Sequence, residues 1–131
     1  MGGQLRDSGE RRVFETGAVR DVVEGKGRCD LLPASSLLRL AKHYENGAKK
    51  YEDRNWEVGI PISVMMDSGL RHLLKYMDGQ TDEDHLCAAA WNILGAMWME
   101  DKKPLMQDLP ARKVKKEVIP QHVDVVQSKI W

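Results

Sequence analysis

Residues 50–56 bring together Lys50, Tyr51, Arg54, Asn55 and Trp56. Lysine and arginine hold phosphate oxygens through charge-assisted hydrogen bonds. An aromatic face such as Tyr51 or Trp56 stacks on a base, and the Asn55 amide reads a base edge or fixes the loop. The plainer alternative is a loop whose tryptophan plugs the core while its charges stay in water. A second cationic stretch is Gly25-Lys26-Gly27-Arg28. Glycines beside Lys26 and Arg28 can wrap a phosphate with backbone N–H groups, although the Walker spacing is absent; a flexible basic arm is the alternative.

Carboxylates offer a different chemistry. Asp67 and Arg71 stand at i,i+4, either as a metal ligand with its anchoring cation or as a surface ion pair. His72 follows Arg71 among apolar neighbours, the setting of a hydrogen-bonded structural histidine. Asp82, Glu83, Asp84 and His85 precede a long apolar run. Within that run Asn92 is the one fully polar residue, and a buried amide left unpaired costs about 1–3 kcal/mol. It requires a partner helix, a symmetry mate, a water or a ligand.

Three helices must position these groups. Residues 81–100 form the central one: they are rich in Ala, Leu and Met, contain no proline, and are apolar on nearly all sides. Thr81 and Asp84 read as a capping box. The stripe Leu86, Ala90, Ile93 and Met97 carries the ordinary core signal. A second stripe, His85, Ala88, Asn92, Gly95 and Met99, contains small residues that let another backbone approach, which predicts at least a dimer. A first helix begins near Pro33 or Ala34, with Leu37, Tyr44, Ala48 and Tyr51 on its apolar face and the Glu45–Lys49 pair on the other. A second runs from Ile62 to about Asp78, with Ile62, Met65, Met66, Gly69, Leu70, Leu73 and Met77 facing inward.

The expected architecture is therefore an all-α, antiparallel bundle over residues 33–103, with an N-terminal arm over 1–32 and a C-terminal tail over 104–131. That tail holds the basic run at 113–116 and strand-like segments at 118–119 and 123–126. It either packs on a partner subunit or is disordered.

At 131 residues the chain is a single domain, and its formal net charge is zero. That balance argues against nucleic-acid polymers and anionic membranes as partners. Residues 31–100 are net acidic and 101–131 net basic. The apolar run is shorter than the roughly 20 residues that span a bilayer. Cys29 and Cys87 make neither a disulfide framework nor a zinc motif. The polar first 30 residues lack a signal-peptide core, so a cytoplasmic location is expected.

Several of these stretches together resemble a family of phage proteins described as dATP/dGTP diphosphohydrolases, relatives of the all-α MazG-like nucleoside triphosphate pyrophosphohydrolases. The resemblance lies in Thr16-Gly17-Ala18, Arg20-Asp21, Lys26 with Arg28, and Asp30-Leu31-Leu32-Pro33. It continues through Gly47-Ala48, Lys50-Tyr51, Arg54-Asn55-Trp56, Gly59, Arg71-His72 and the segment 82–86 with Asn92. It implies antiparallel helices assembled as a homodimer or homotetramer, in the host cytoplasm if the chain is phage-encoded. It also implies Mg²⁺- or Mn²⁺-dependent attack of water on the α-phosphorus of a purine deoxynucleoside triphosphate. On that reading Glu45, Asp67, Asp82 and Asp84 hold the metal, and Glu45, Asp84 and His85 are catalytic. Lys26, Arg28, Lys50, Tyr51, Arg54, Asn55, Trp56, Arg71, His72 and Asn92 bind substrate. The E-x-x-E and E-x-x-D pairs of MazG-like enzymes do not occur between residues 31 and 100; Asp82 and His85 offer a carboxylate–histidine pair at i,i+3 instead. Two other classes need no converging carboxylates: a non-catalytic sponge for a signalling nucleotide, and a helical interaction module.

Overall fold

The computed structural model of the protein describes residues 7–113. The chain forms two compact units, with the boundary between Pro33 and Ala34. The structure is mostly helical and includes a small two-stranded sheet, so the all-α expectation holds for the described residues of the second unit only.

The first unit contains a hairpin where an arm without regular structure was expected. β1 (Arg11–Val13) and β2 (Val19–Asp21) pair antiparallel, with Arg11 opposite Asp21 and Val13 opposite Val19. Gly17, at φ +90°, supplies the turn that leads back into β2. The Gly17 N–H donates to the Phe14 carbonyl at 2.8 Å, and the Phe14 N–H to Ala18 at 2.9 Å. Asp21 closes the unit by accepting from the Ser8 hydroxyl and from Lys26 Nζ at 3.1 Å. Strands of three residues are too short to display a period of two in sequence.

The second unit is built on α1 (Ala34–Tyr51), α2 (Ile62–Met77) and α3 (His85–Lys102). The start of α3 corrects the expected capping box. Asp84, not Thr81, is the N-cap, and its Oδ1 accepts from the Cys87 N–H at 3.1 Å. Aspartate caps at least as well as threonine, and at this position Asp84 also reaches α1.

The two stripes of α3 exchange roles relative to the sequence expectation. His85, Ala88, Asn92, Gly95 and Met99 are all buried, whereas Ile93 and Met97 are 48% and 59% exposed. The small-residue stripe faces α2 of the same chain. A Cβ added at Gly69 would stand 3.3 Å from the Asn92 Cβ, and one at Gly95 would collide with the tip of Met65. Close approach within the chain thus uses the surface that had suggested a dimer. On α2, Ile62, Met65 and Gly69 are buried as expected, but Leu70, Leu73 and Met77 are exposed.

The core consists of Ile62, Met65, Ala96 and Met99, with Trp56, Trp91, Trp98, Met106 and Leu109 packed against it. Met106 and Leu109 were expected in a tail but belong to this core. Their segment also serves α2: Asp108 accepts from the Ser63 N–H at 2.8 Å and from its hydroxyl at 2.6 Å. Because Pro61, the N-cap residue, offers no capping side chain, Asp108 satisfies a donor that the helix start leaves open. The strand-like segments at 118–119 and 123–126 lie outside the described residues. Among those residues, no helix is long and apolar enough to cross a membrane.

Candidate functional site

Within the second unit, the C-terminal half of α1, the loop after it and the facing surfaces of α2 and α3 enclose a cleft of about 880 Å³. Pockets for small ligands usually fall between about 300 and 1,000 Å³. Of the residues singled out in sequence, Glu45, Lys50, Tyr51, Arg54, Asn55, Trp56, His72 and Asn92 line it. Glu83, Ser68, His43 and Trp91 line it as well and were not singled out for it. Of these, Ser68 had a signal in helical register, since it lies four residues before His72 on α2.

The cationic wall comes from the end of α1 and from the loop. Lys50 lies in the last turn, where positive charge suits the carbonyl end of the helix dipole. Its Nζ stands 5.1 Å from the Tyr51 ring centroid. Arg54 donates to Glu57 at 2.9 Å, and most of its side chain remains in solvent. The backbone here is unusual: Glu52 has φ +108° and Arg54 φ +58°. Non-glycine residues occupy that region at a cost of order 1–3 kcal/mol, so the loop that presents the cations is held in place against local preference.

The aromatic wall is continuous with the core. Trp56 meets Trp98 edge-on at 5.0 Å between centroids and Tyr44 at 6.5 Å; Tyr44 lies 6.3 Å from Trp91. Trp56 therefore packs against the core and lines the cleft. Burial raises the Tyr44 phenol above its ordinary value. Asn92, only 5% exposed, donates from Nδ2 to the Ala88 carbonyl at 2.8 Å and to Ser68 Oγ at 3.4 Å. Its partners are found within the α2–α3 pair.

The α2–α3 end of the cleft is titratable. His72 Nδ1 stands 2.9 Å from His85 Nδ1, and His85 Nε2 is 2.8 Å from Asp82 Oδ1. Hydrogen bonding to His85 lowers the Asp82 pKa, so it is a carboxylate that accepts from the imidazole. Desolvation, opposed by Glu83, holds the His72 pKa below its ordinary value and favours the neutral ring.

The remaining carboxylates are occupied elsewhere. Both oxygens of Asp84 accept from Arg39 of α1, at 2.7 and 2.8 Å, and the guanidinium holds this carboxyl well below the usual range. Asp67 pairs with Arg71 on the surface of α2. Neither Asp67, Arg71, Asp82, Asp84 nor the buried His85 lines the cleft. Glu45 does, with a distant contact to Lys49 at 3.9 Å. Of Glu45, Asp67, Asp82 and Asp84, the last three each answer a cation or an imidazole. Among the described residues, the group with metal-ligand proximity is His72, Glu83 and His85.

Lys26 and Arg28 belong to the first unit. There Lys26 pairs with Asp21 and Arg28 with Asp30, through two bonds of 2.8 Å. Hydrogen bonding to Arg28 lowers the Asp30 pKa.

The arrangement can hold a ligand that is anionic at one end and flat and apolar at the other, with amides between. The family profile described as dATP/dGTP diphosphohydrolase, N-terminal, matches residues 16–109, and the chain belongs to that family. No curated protein and no solved structure matches it.

Proposed function

Taking that membership as the premise, we propose that the cleft binds a purine deoxynucleoside triphosphate and that the chain hydrolyses it to the monophosphate and pyrophosphate. The observation that carries this reading is a cleft whose lining gathers Lys50 and Arg54 with Tyr51, Trp56, Asn55 and Asn92. Lys50 and Arg54 take phosphate oxygens, and charge-assisted bonds of this kind contribute about 1.5–3 kcal/mol each. The exposed Tyr51 ring stacks on the base, and the amides of Asn55 and Asn92 meet its edge. Glu45 accepts a proton from the attacking water as general base. The water oxygen bonds to the α-phosphorus, and the bond to the α–β bridging oxygen breaks. Its electron pair leaves with pyrophosphate, whose charge Lys50 and Arg54 neutralise. The substrate enters as the magnesium complex of the triphosphate.

A second reading is favoured by one observation: Asp67, Asp82 and Asp84 are engaged by other side chains. On that reading the same cleft sequesters a nucleotide and does not cleave it. Incubation with Mg²⁺ or Mn²⁺ and a panel of nucleoside triphosphates, following pyrophosphate and monophosphate, separates the two. Turnover of dATP or dGTP that disappears in Glu45→Gln supports hydrolysis. Tight binding without turnover, lost in Lys50→Ala, supports sequestration, and absence of binding sinks both.

Self-association is part of the proposal, now on a different surface from the one read in sequence. Ile93, Leu94 and Met97 of α3 and Leu70, Leu74 and Met77 of α2 are exposed, and large apolar side chains left in solvent on a helix face are what an interface would cover. A homodimer or homotetramer in the cytoplasm is expected; a monodisperse monomer in light scattering at micromolar concentration would reject it.

A further inference from the structure

Two imidazoles from different helices meet nitrogen to nitrogen at the α2–α3 end of the cleft. His85 is 2% exposed and its Nε2 is committed to Asp82, which leaves its Nδ1 lone pair directed at His72 Nδ1, 2.9 Å away. The Glu83 carboxylate lies beside them, and one ligand atom from each of the three residues falls within 4.8 Å of the others. A hydrogen bond between the rings explains the first two groups. It does not explain the third, since the Glu83 carboxylate makes no hydrogen bond among the described residues.

We propose that His72, His85 and Glu83 form a binding site for a divalent transition-metal ion of the Zn²⁺ or Co²⁺ kind. Donor atoms about 2.1 Å from a common ion stand roughly 3–3.5 Å apart at neighbouring coordination positions, so the imidazole nitrogens are already close to the required separation. The exposed Glu83 side chain closes the rest by rotation. The Asp82–His85 contact is the carboxylate–histidine arrangement that fixes the tautomer and orientation of a metal-binding imidazole. Both rings remain neutral when the ion binds: the proton between them moves to His72 Nε2, and none is lost. Imidazole donors favour Zn²⁺, Co²⁺ and their neighbours over Mg²⁺, which prefers oxygen. His72 and Glu83 also line the cleft, so an ion held by these residues would border whatever the cleft holds. The site stands on the ion alone and does not depend on the identity of the nucleotide.

The test uses the full chain, stripped with a chelator and dialysed against Zn²⁺, Co²⁺ or Mg²⁺. One Zn²⁺ or Co²⁺ per chain is expected, with a visible absorption band for Co²⁺ and no comparable binding of Mg²⁺. His72→Ala abolishes binding while circular dichroism stays unchanged, and Asp82→Asn weakens it about 10- to 100-fold. If His72→Ala does not fold, Glu83→Gln and Asp82→Asn, both at exposed carboxylates, carry the same comparison. Failure to bind either ion overturns the proposal, as does stoichiometric binding that survives these substitutions. Since no nucleotide is present, neither result bears on whether the cleft takes one.

Discussion

Glycine occurs inside helices on both sides of the cleft, and the two settings differ. Gly69 and Gly95 lie in the α2–α3 seam, where Asn92 and Met65 occupy the space that a side chain would need. Gly47 lies in α1 and lines the cleft, with nothing within 4 Å of where its Cβ would stand. A helical glycine costs about 1 kcal/mol relative to alanine. In the seam that cost is offset by close packing; in the cleft wall no contact among the described residues offsets it. The same division runs through the rest of the molecule. The seam holds the buried residues, whereas α1 has none and carries exposed cations and a loop with two left-handed non-glycine residues. One region serves stability, and the other is the one to which the proposed function assigns a ligand.

Substitutions can break that division if it is wrong. The largest expected effect is in the seam. Met99 is 0% exposed at the centre of the core, so Met99→Ala should cost about 2–5 kcal/mol, read as a lower midpoint in denaturant. Nucleotide affinity of the folded fraction should not change. Next is the cleft wall. Lys50→Ala should weaken triphosphate binding by about 1.5–3 kcal/mol, roughly 10- to 150-fold, while the thermal midpoint stays put. If Lys50→Ala instead destabilises the fold, the cationic wall is structural and the comparison fails.

Gly47→Ala sharpens the contrast further, because it should move the two properties in opposite directions. Filling open helix with alanine should raise stability by about 0.5–1 kcal/mol, and the added methyl should weaken nucleotide binding measured by titration calorimetry. A gain in stability with unchanged binding would mean that no ligand approaches α1 at this point.

How much of this was legible in sequence depended on the range of the interactions. Helices α1 and α2 followed from periodicity and from the breakers Gly59 and Pro61. The loop over residues 50–56 was legible as a candidate site because its cations, amide and rings are neighbours in the chain. The roles of the two α3 stripes were not. With Ala and Met on both, local composition does not tell which face meets α2; that is decided by Gly69 and Met65, more than 20 residues before Asn92 and Gly95. Local spacing marks Asp84 as part of a helix start, but the bond from Arg39 on another helix is invisible to it. The ring pair His72–His85 escaped notice for the same reason, and the hairpin because its strands are so short.

The smallest expected effect lies where the seam and the cleft meet, at His72. Desolvation lowers its pKa in the folded protein from the ordinary 6.5; His85, Lys75 and Arg71 act in the same direction, and Glu83 opposes them. The folded state therefore binds a proton less readily than the unfolded chain, and stability rises with pH across the window below about 6.5. Above that window both states are neutral at this residue and the contribution is fully present. As pH falls toward the folded pKa, the unfolded chain takes up its proton first and the contribution is lost. Asp84, held low by Arg39, contributes in the same sense but in a more acidic window, below about 4. Thermal midpoints of the chelator-treated protein between about pH 5 and 7.5 should fall on the acid side of this range. In His72→Gln that slope should be shallower, whatever the variant's absolute stability. An unchanged slope would mean that His72 is as well solvated in the folded chain as in the unfolded one. The cleft would then reach deeper into the α2–α3 pair than its burial implies.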